Sequence, residues 1–316
     1  MNKNKLLSKN YPVNLSKKQQ AVIALIITNI IWGAAAPIFK WSLQNIHPFT
    51  LAFLRFAIAS AILFPFAIRE VNIERKDIPQ IFLLSFFGIT VNISFFFLAL
   101  TRTASINAPI IGSAAPLFII LASVFFLKEK LKMRVLFGAC MGFIGIFLIV
   151  ARPIIESGFD SSVVGNLFLI VATIGSIIHV ILTKEIDRKH KPIALAFCSF
   201  VIGAFTFLPM LTQEVAVYGF LKNLTMAGIV GIIFGGVFSS ALAYFLFYWS
   251  MQNISASEAG LFTYLDPIIA VLIAVPLLGE IPTTTYIVGS LLIFGGIYTA
   301  EGRVHYHPLH LLKKID

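Results

Sequence analysis

Ten mainly apolar stretches follow one another along the chain, separated by short polar segments: residues 21–40, 49–68, 79–100, 105–127, 133–151, 164–184, 192–212, 226–250, 255–278 and 283–300. A helix needs about 20 mainly apolar residues to cross the hydrocarbon of a bilayer. Each stretch therefore predicts a spanning helix. None predicts a strand, because an open sheet edge leaves backbone groups unsatisfied in lipid. The expected fold class is an all-α polytopic membrane protein with ten transmembrane helices. The first 20 residues are polar and carry five Lys. The span that follows is longer than a signal-peptide core and leads into further spans, so no cleavage is expected.

Composition narrows the class further. Of 316 residues, 58% are hydrophobic in type and 12% are charged. A soluble domain carries about 25% charged residues, and a chain this apolar is not disordered. The net charge of +10 would suggest nucleic acid if the basic residues formed a patch. They lie between apolar runs instead, so no nucleic-acid partner is expected. Placing the N-terminus inside puts 19 of the 24 Lys and Arg on cytoplasmic segments and only Arg102, Arg152 and Lys222 on outer ones. That bias predicts both termini in the cytoplasm; the expected location is the cell (inner or plasma) membrane. Cys140 and Cys198 lie inside apolar runs and have neither disulfide nor metal spacing, so they read as packing residues.

The two halves of the chain repeat each other. At a shift of 151 residues Pro116 falls on Pro267, Glu129 on Glu280, Gly138 on Gly289, Gly145 on Gly296 and Arg152 on Arg303. At a shift of 144, Pro48, Leu51, Phe56 and Pro65 fall on Pro192, Leu195, Phe200 and Pro209, and Lys40 on Lys184. Five spans per half is an odd number, so the halves are inverted relative to each other. The expected organisation is an N-tail (1–20), a first five-helix repeat (21–151), a second (164–300) and a C-tail (301–316). Inverted repeats are the architecture of alternating-access transporters, with the substrate site at the repeat interface near the midplane.

Several segments carry a resemblance. Trp32-Gly33 with Pro37, Pro48 to Arg55, the stretch LALTRTASINAPIIGSAAPLFIILASVFFLKEKL (98–131) and its partner FYWSMQNISASEAGLFTYLDPIIAVLIAVPLLGE (247–280) are similar to the drug/metabolite transporter superfamily of the EamA type. The similarity runs over about residues 21–303. It implies a ten-helix metabolite transporter, often an exporter of amino acids or related compounds. It also implies that spans 5 and 10 lie outside the central cavity. It names no substrate.

Two acidic residues, Glu258 and Asp266, lie within spans, both in span 9. An acid at mid-bilayer costs a few kcal/mol and faces a partner or a wet cavity. Asp266 is near mid-depth and precedes Pro267, which removes a backbone donor. It is the leading candidate for binding a substrate amine or a proton, with Tyr264 beside it; a structural ion pair at the kink is the competing account. Glu258 is a second proton candidate, or an interfacial acid. Arg55 is the only basic residue well inside a span, and its repeat counterpart is Ser199. It is expected to pair with Asp266 or a substrate carboxylate, or to serve the scaffold. Lys40 and Lys184 read as anion ligands in alternate states or as interface anchors.

Polar and aromatic residues at helical spacing, among them Asn29 and Trp32, Asn92, His179 and Tyr244, predict a polar cavity with aromatic walls or helix-packing contacts. His179 is also a proton candidate. The expected substrate-binding set is thus Trp32, Asn29, Asn92, Tyr244, Tyr264, Asp266 and Arg55, with Asp266, Glu258 and His179 for proton coupling. Glycines in spans 5 and 10 predict close helix packing, within the chain or in a homodimer.

The chain has no HExxH, GxSxG or GxxxxGK[ST] motif, so neither an enzyme nor an ATP-driven pump is expected, and no cofactor or metal. The partners are a small-molecule substrate and the lipid bilayer. The expected activity is secondary or facilitative transport of an amino acid or related metabolite, with export favoured. A lipid flippase of the same fold is the alternative.

Overall fold

The computed structural model describes residues 15–115, 117, 118, 133–186, 189–222, 224–254, 259 and 261–301. Helix α1 spans Lys17–Ser42, α2 Pro48–Ala67, α3 Ile78–Leu100, α4 Asn107–Gly112 and α5 Met133–Ser157. The second half comprises α6, Ser161–Ile186, α7, Pro192–Tyr218 and α8, Met226–Met251. It ends with α9, a 3-10 turn Leu261–Tyr264 continued by Leu265–Leu278, and α10, Thr284–Glu301. Among the described residues six helices are long and apolar enough to cross a membrane and three more are shorter and apolar. Of the fourth span the structure describes residues 105–115, 117 and 118, which include α4, and Pro116 and Glu129 lie outside the described residues. The chain is all-α, with two inverted five-helix repeats.

Local sequence sets several ends. Ser16 caps α1 through a reciprocal pair with Gln19, whose amide donates to Ser16 Oγ at 3.2 Å and whose Oε1 accepts from Ser16 N at 2.9 Å, a capping box. Pro48 and Pro192 open α2 and α7, where the missing N–H costs nothing. Gly279 ends α9 with φ +67°, a left-handed conformation that glycine adopts freely.

The repeat symmetry is visible in the packing. The repeat-related rings of Phe56 and Phe200 stack on each other, with centroids 5.7 Å apart. A Cβ on Gly145 would stand 2.5 Å from Gly289 O, and one on Gly296 would strike Gly138 O. Each glycine thus meets the repeat counterpart of the other's partner, and α5 and α10 pack with their backbones in contact. These glycines are used inside one chain, so they give no argument for a dimer. Cys140 is exposed and Cys198 half-buried, so neither belongs to the fully buried core.

Each repeat also has one π-helical segment in its third helix, Phe86–Val91 in α3 and Phe234–Leu242 in α8. The Asn92 amide donates to Phe87 O and Ile89 O, and the Ala243 amide to Phe238 O and Ser240 O. The two patterns coincide at the 151-residue shift. In a continuous α-helix those amides would bond Gly88 O and Ser239 O, four residues back.

The ends of the bundle carry most ion pairs. At the end where α1 finishes (the far face), Glu280 Oε1 accepts from Lys40 Nζ at 2.8 Å and from Ser105 N at 2.9 Å. Its Oε2 accepts from Ser105 Oγ at 2.8 Å and Ile106 N at 3.2 Å. Lys40 also donates to Thr103 O at 2.7 Å, so it is held as a structural tie. On the same face Glu214, in the last turns of α7, accepts from Phe49 N, Thr50 N and Thr50 Oγ1 at the start of α2. At the near face, where α1 begins, Asp77 meets His190 Nε2 at 3.0 Å and Lys189 Nζ at 3.4 Å. The side chain of Lys184 lies outside what the structure describes.

Candidate functional site

One cavity of about 250 Å³ lies between the halves. Its walls come from α1, α2, α3, α4, α6, α8 and α9; among the described residues α5, α7 and α10 contribute none. Aromatic and aliphatic side chains make up most of the wall, including Trp32, Phe39, Phe96, Tyr244 and Phe247.

Arg55 enters from α2 and is 2% exposed. Its Nε donates to Ser240 Oγ at 2.6 Å, and its Nη2 donates to Ser239 Oγ at 3.1 Å and to Ser239 O at 3.3 Å. The guanidinium carbon stands 5.0 Å from the Phe39 ring centroid and 4.9 Å from that of Phe56. Both distances are in cation–π range. Among the described residues no carboxylate pairs with Arg55, and Nη1 has no hydrogen-bond partner. The expected direct Arg55–Asp266 ion pair is therefore absent: the α8 serines, not an acid, hold the guanidinium.

Asp266 enters the same cavity from α9, in the first turn after the 3-10 segment. That position favours a negative charge through the helix dipole. Its Oδ1 is buried and accepts no hydrogen bond among the described residues. Gly33 lets α1 approach here, since a Cβ would stand 2.9 Å from Asp266 O. One turn earlier on α1, Asn29 donates through Nδ2 to Leu25 O at 2.8 Å. Its Oδ1 is buried without a donor among the described residues. Buried acceptors left unpaired cost on the order of 1–3 kcal/mol each, so two of them in one cavity wall point to a donor that arrives from elsewhere.

The remaining residues form the walls. Trp32 Nε1 donates to Ser239 O at 3.2 Å, and its ring packs edge-on against Tyr244 at 5.3 Å. Asn92 Nδ2 donates to Ala172 O at 2.7 Å. His179 Nδ1 lies 2.9 Å from Leu84 O, which fixes the proton on that nitrogen; Nε2 lies 3.4 Å from Tyr248 OH. Tyr248 continues to Ser199 Oγ at 3.2 Å, and Ser199 to Ser85 Oγ at 3.0 Å. Ser199, the counterpart of Arg55, is therefore built into a neutral chain, and the symmetry of the halves breaks at the charge.

Of the residues singled out from sequence, Trp32, Asn29, Asn92, Tyr244, Asp266, Arg55 and His179 all line this cavity. Tyr264 does not: its ring lies edge-on to Phe294 of α10, 5.7 Å between centroids, and outside the lining set. Adjacent residues on a helix point about 100° apart, so one side chain beside Asp266 faces away from the cavity. Glu258 lies outside the described residues. Sequence reasoning missed Ser239 and Gly88, which both line the cavity. The 151-residue shift, which places one on the other, was the available signal.

The EamA-like transporter family matches residues 19–151 and 163–300. An uncharacterized transporter of Archaeoglobus fulgidus is 30% identical over 281 residues, covering 89% of this chain and 98% of the relative. The uncharacterized transporters YdfC and YetK of Bacillus subtilis are 28% and 24% identical, covering 89% and 90% of this chain and 90% and 88% of their own lengths. A solved crystal structure at 19% identity superposes with a TM-score of 0.63 over 90% of this chain and 98% of its own; it speaks for the fold alone.

Proposed function

Because the chain belongs to the EamA-like transporter family, we propose that its cargo is a zwitterion of the amino-acid class, carried by alternating access between the two inverted repeats. A transporter function and residence in a membrane follow from the family; the cargo, the mechanism and the site are our reading. One observation carries it: among the described residues, a buried Arg55 without an acidic partner and an Asp266 with a buried oxygen without a donor face one cavity and do not pair with each other. An α-amino acid presents a carboxylate to the first and an ammonium to the second. Asn29 Oδ1 adds an acceptor at the ammonium pole. Trp32, Asn92 and Tyr244 form the walls around the side chain.

The cavity of about 250 Å³ is of the order of a small-molecule site, and we favour one small metabolite over a lipid as its cargo. Asp266 needs a cation or a proton whenever the ammonium is absent, which is the basis for proton coupling there. His179, whose Nε2 lies 3.4 Å from Tyr248 OH, is a second place for that proton. The charge bias supports the cell membrane with both termini cytoplasmic, and the family resemblance supports export as the net direction.

Counterflow in proteoliposomes with labelled L-amino acids tests the reading. Saturable exchange of some members is expected, lost in Asp266→Asn and Arg55→Ala variants that still fold. Exchange of a neutral or purely anionic metabolite with no amino acid accepted would overturn the zwitterion reading.

A further inference from the structure

The π-helical turn of α8 bears directly on the anion pole. The Ala243 amide bonds Phe238 O and Ser240 O, so it does not bond the Ser239 carbonyl, its partner in an α-helix. That carbonyl instead accepts from Trp32 Nε1 at 3.2 Å and Arg55 Nη2 at 3.3 Å. The hydroxyls of Ser239 and Ser240, 1% and 0% exposed, take Nη2 and Nε. One turn of backbone thereby holds a Trp from α1 and an Arg from α2. Gly235 and Gly236 give the space, since Cβ atoms there would stand 3.3 Å from the Arg55 side chain and 2.7 Å from Ile58. The same hydrogen-bond pattern recurs 151 residues earlier, where Gly88 stands in place of Ser239 and no arginine is present. The π turn is thus part of the repeat, and only the second half's copy is fitted with serines.

π segments inside α-helices occur frequently at functional sites. An arginine is five donors in a rigid fork. Fixing Nε and Nη2 on neutral acceptors keeps the positive charge uncompensated and leaves Nη1 for a ligand. We propose that Ser239 and Ser240, presented by this π turn, are the positioning residues of the transporter: they hold Arg55 so that its Nη1 reads the carboxylate of the cargo. The proposal rests on the assignment of Arg55 as the carboxylate ligand. It adds that recognition depends on two serines that need not touch the cargo's carboxylate themselves.

The test measures binding by fluorescence of Trp32, with Trp41 and Trp249 replaced by Phe. The probes are the L-amino acids of the counterflow panel, each paired with its amide, which keeps the ammonium and lacks the carboxylate. The parent protein is expected to prefer the acid over the amide. Arg55→Ala should abolish that preference. Ser240→Ala and Ser239→Ala should each weaken binding of the acid by about tenfold, the loss of one charge-assisted bond, while binding of the amide stays within about twofold. Ser240→Thr, which keeps the hydroxyl, should restore the preference. A merely structural role would weaken acid and amide together, and that outcome overturns the proposal. So does an unchanged preference in both serine variants when Arg55→Ala has lost it. If no amino acid is preferred over its amide, or Arg55→Ala behaves as the parent, the zwitterion reading itself has failed.

Discussion

Removing the Glu280 carboxylate should open the far face of the bundle. Glu280 ties three elements: Lys40 of α1, the Ser105–Ile106 amides that start α4, and its own position after α9. In Glu280→Ala, Ser105 N, Ile106 N and Ser105 Oγ lose their acceptor, while Lys40 keeps Thr103 O. Loss of a carboxylate from helix N-terminal amides costs about 1 kcal/mol. The ion pair is partly buried, with side chains 27% and 11% exposed. Its loss therefore falls between the about 0–1 kcal/mol of exposed pairs and the 3–5 kcal/mol of buried ones, and a total of about 2–3 kcal/mol is expected. Glu280→Gln keeps an acceptor oxygen and should lose about half as much. Burial pushes the Glu280 carboxyl up, but the Lys40 ammonium and the Ser105 donors more than offset it and hold it below the usual carboxylate range. A lowered folded pKa gives stabilisation that is complete above the unfolded value of about 4.3 and is lost as pH falls through the folded value. Thermal unfolding of the purified protein should show a constant gap between wild type and Glu280→Gln from pH 8 to about 5, closing below about pH 4. A Lys40→Met variant should lose the ion-pair part of its destabilisation when combined with Glu280→Gln and keep the part due to Thr103 O. Equal stability of wild type and Gln at pH 7, or a gap that persists unchanged at low pH, would refute the reasoning.

Other substitutions test other parts of the structure. Gly145→Val puts its side chain against Gly289 O and should destabilise the α5–α10 pair by about 1–3 kcal/mol; with those helices outside the cavity wall, the Km of any exchanged amino acid should not move. Gly88→Ala places a methyl 2.0 Å from His179 Nδ1 and should displace that ring from the cavity wall, with transport reduced in protein that still folds. Glu214→Ala strips three hydrogen bonds from the start of α2 and should cost about 1–2 kcal/mol in unfolding measurements, with Glu214→Gln recovering part of it.

Much of the cavity lining is legible in the residues because membranes make polarity expensive. An Arg and an Asp within apolar spans stand out in sequence for the same reason that they must face a cavity in the fold. Their relation was not legible. The Arg55–Asp266 pair was the economical expectation, yet Arg55 is held by Ser239 and Ser240, whose distance of about 185 residues along the chain carries no local signal. Tyr264 failed for a local reason: adjacency in sequence is not adjacency around a helix. Lys40 was read as an anion ligand or an interface anchor, and only the folded chain brings Glu280 and Thr103 O to it. Glu214 lies beyond the apolar stretch 192–212 yet inside α7, because that helix runs six residues further.

The sequence alone determined the membrane-spanning class, the number of spans and the inverted repeat, since each follows from hydropathy, charge bias and register, which the bilayer imposes segment by segment. The tertiary structure decided which polar groups are satisfied and which are left open. Whether an acceptor such as Asp266 Oδ1 finds a donor depends on how seven helices meet around a cavity. So does the release of the Ser239 carbonyl to Trp32 and Arg55: it takes a π turn in one helix and the approach of two others, a geometry that no single segment encodes.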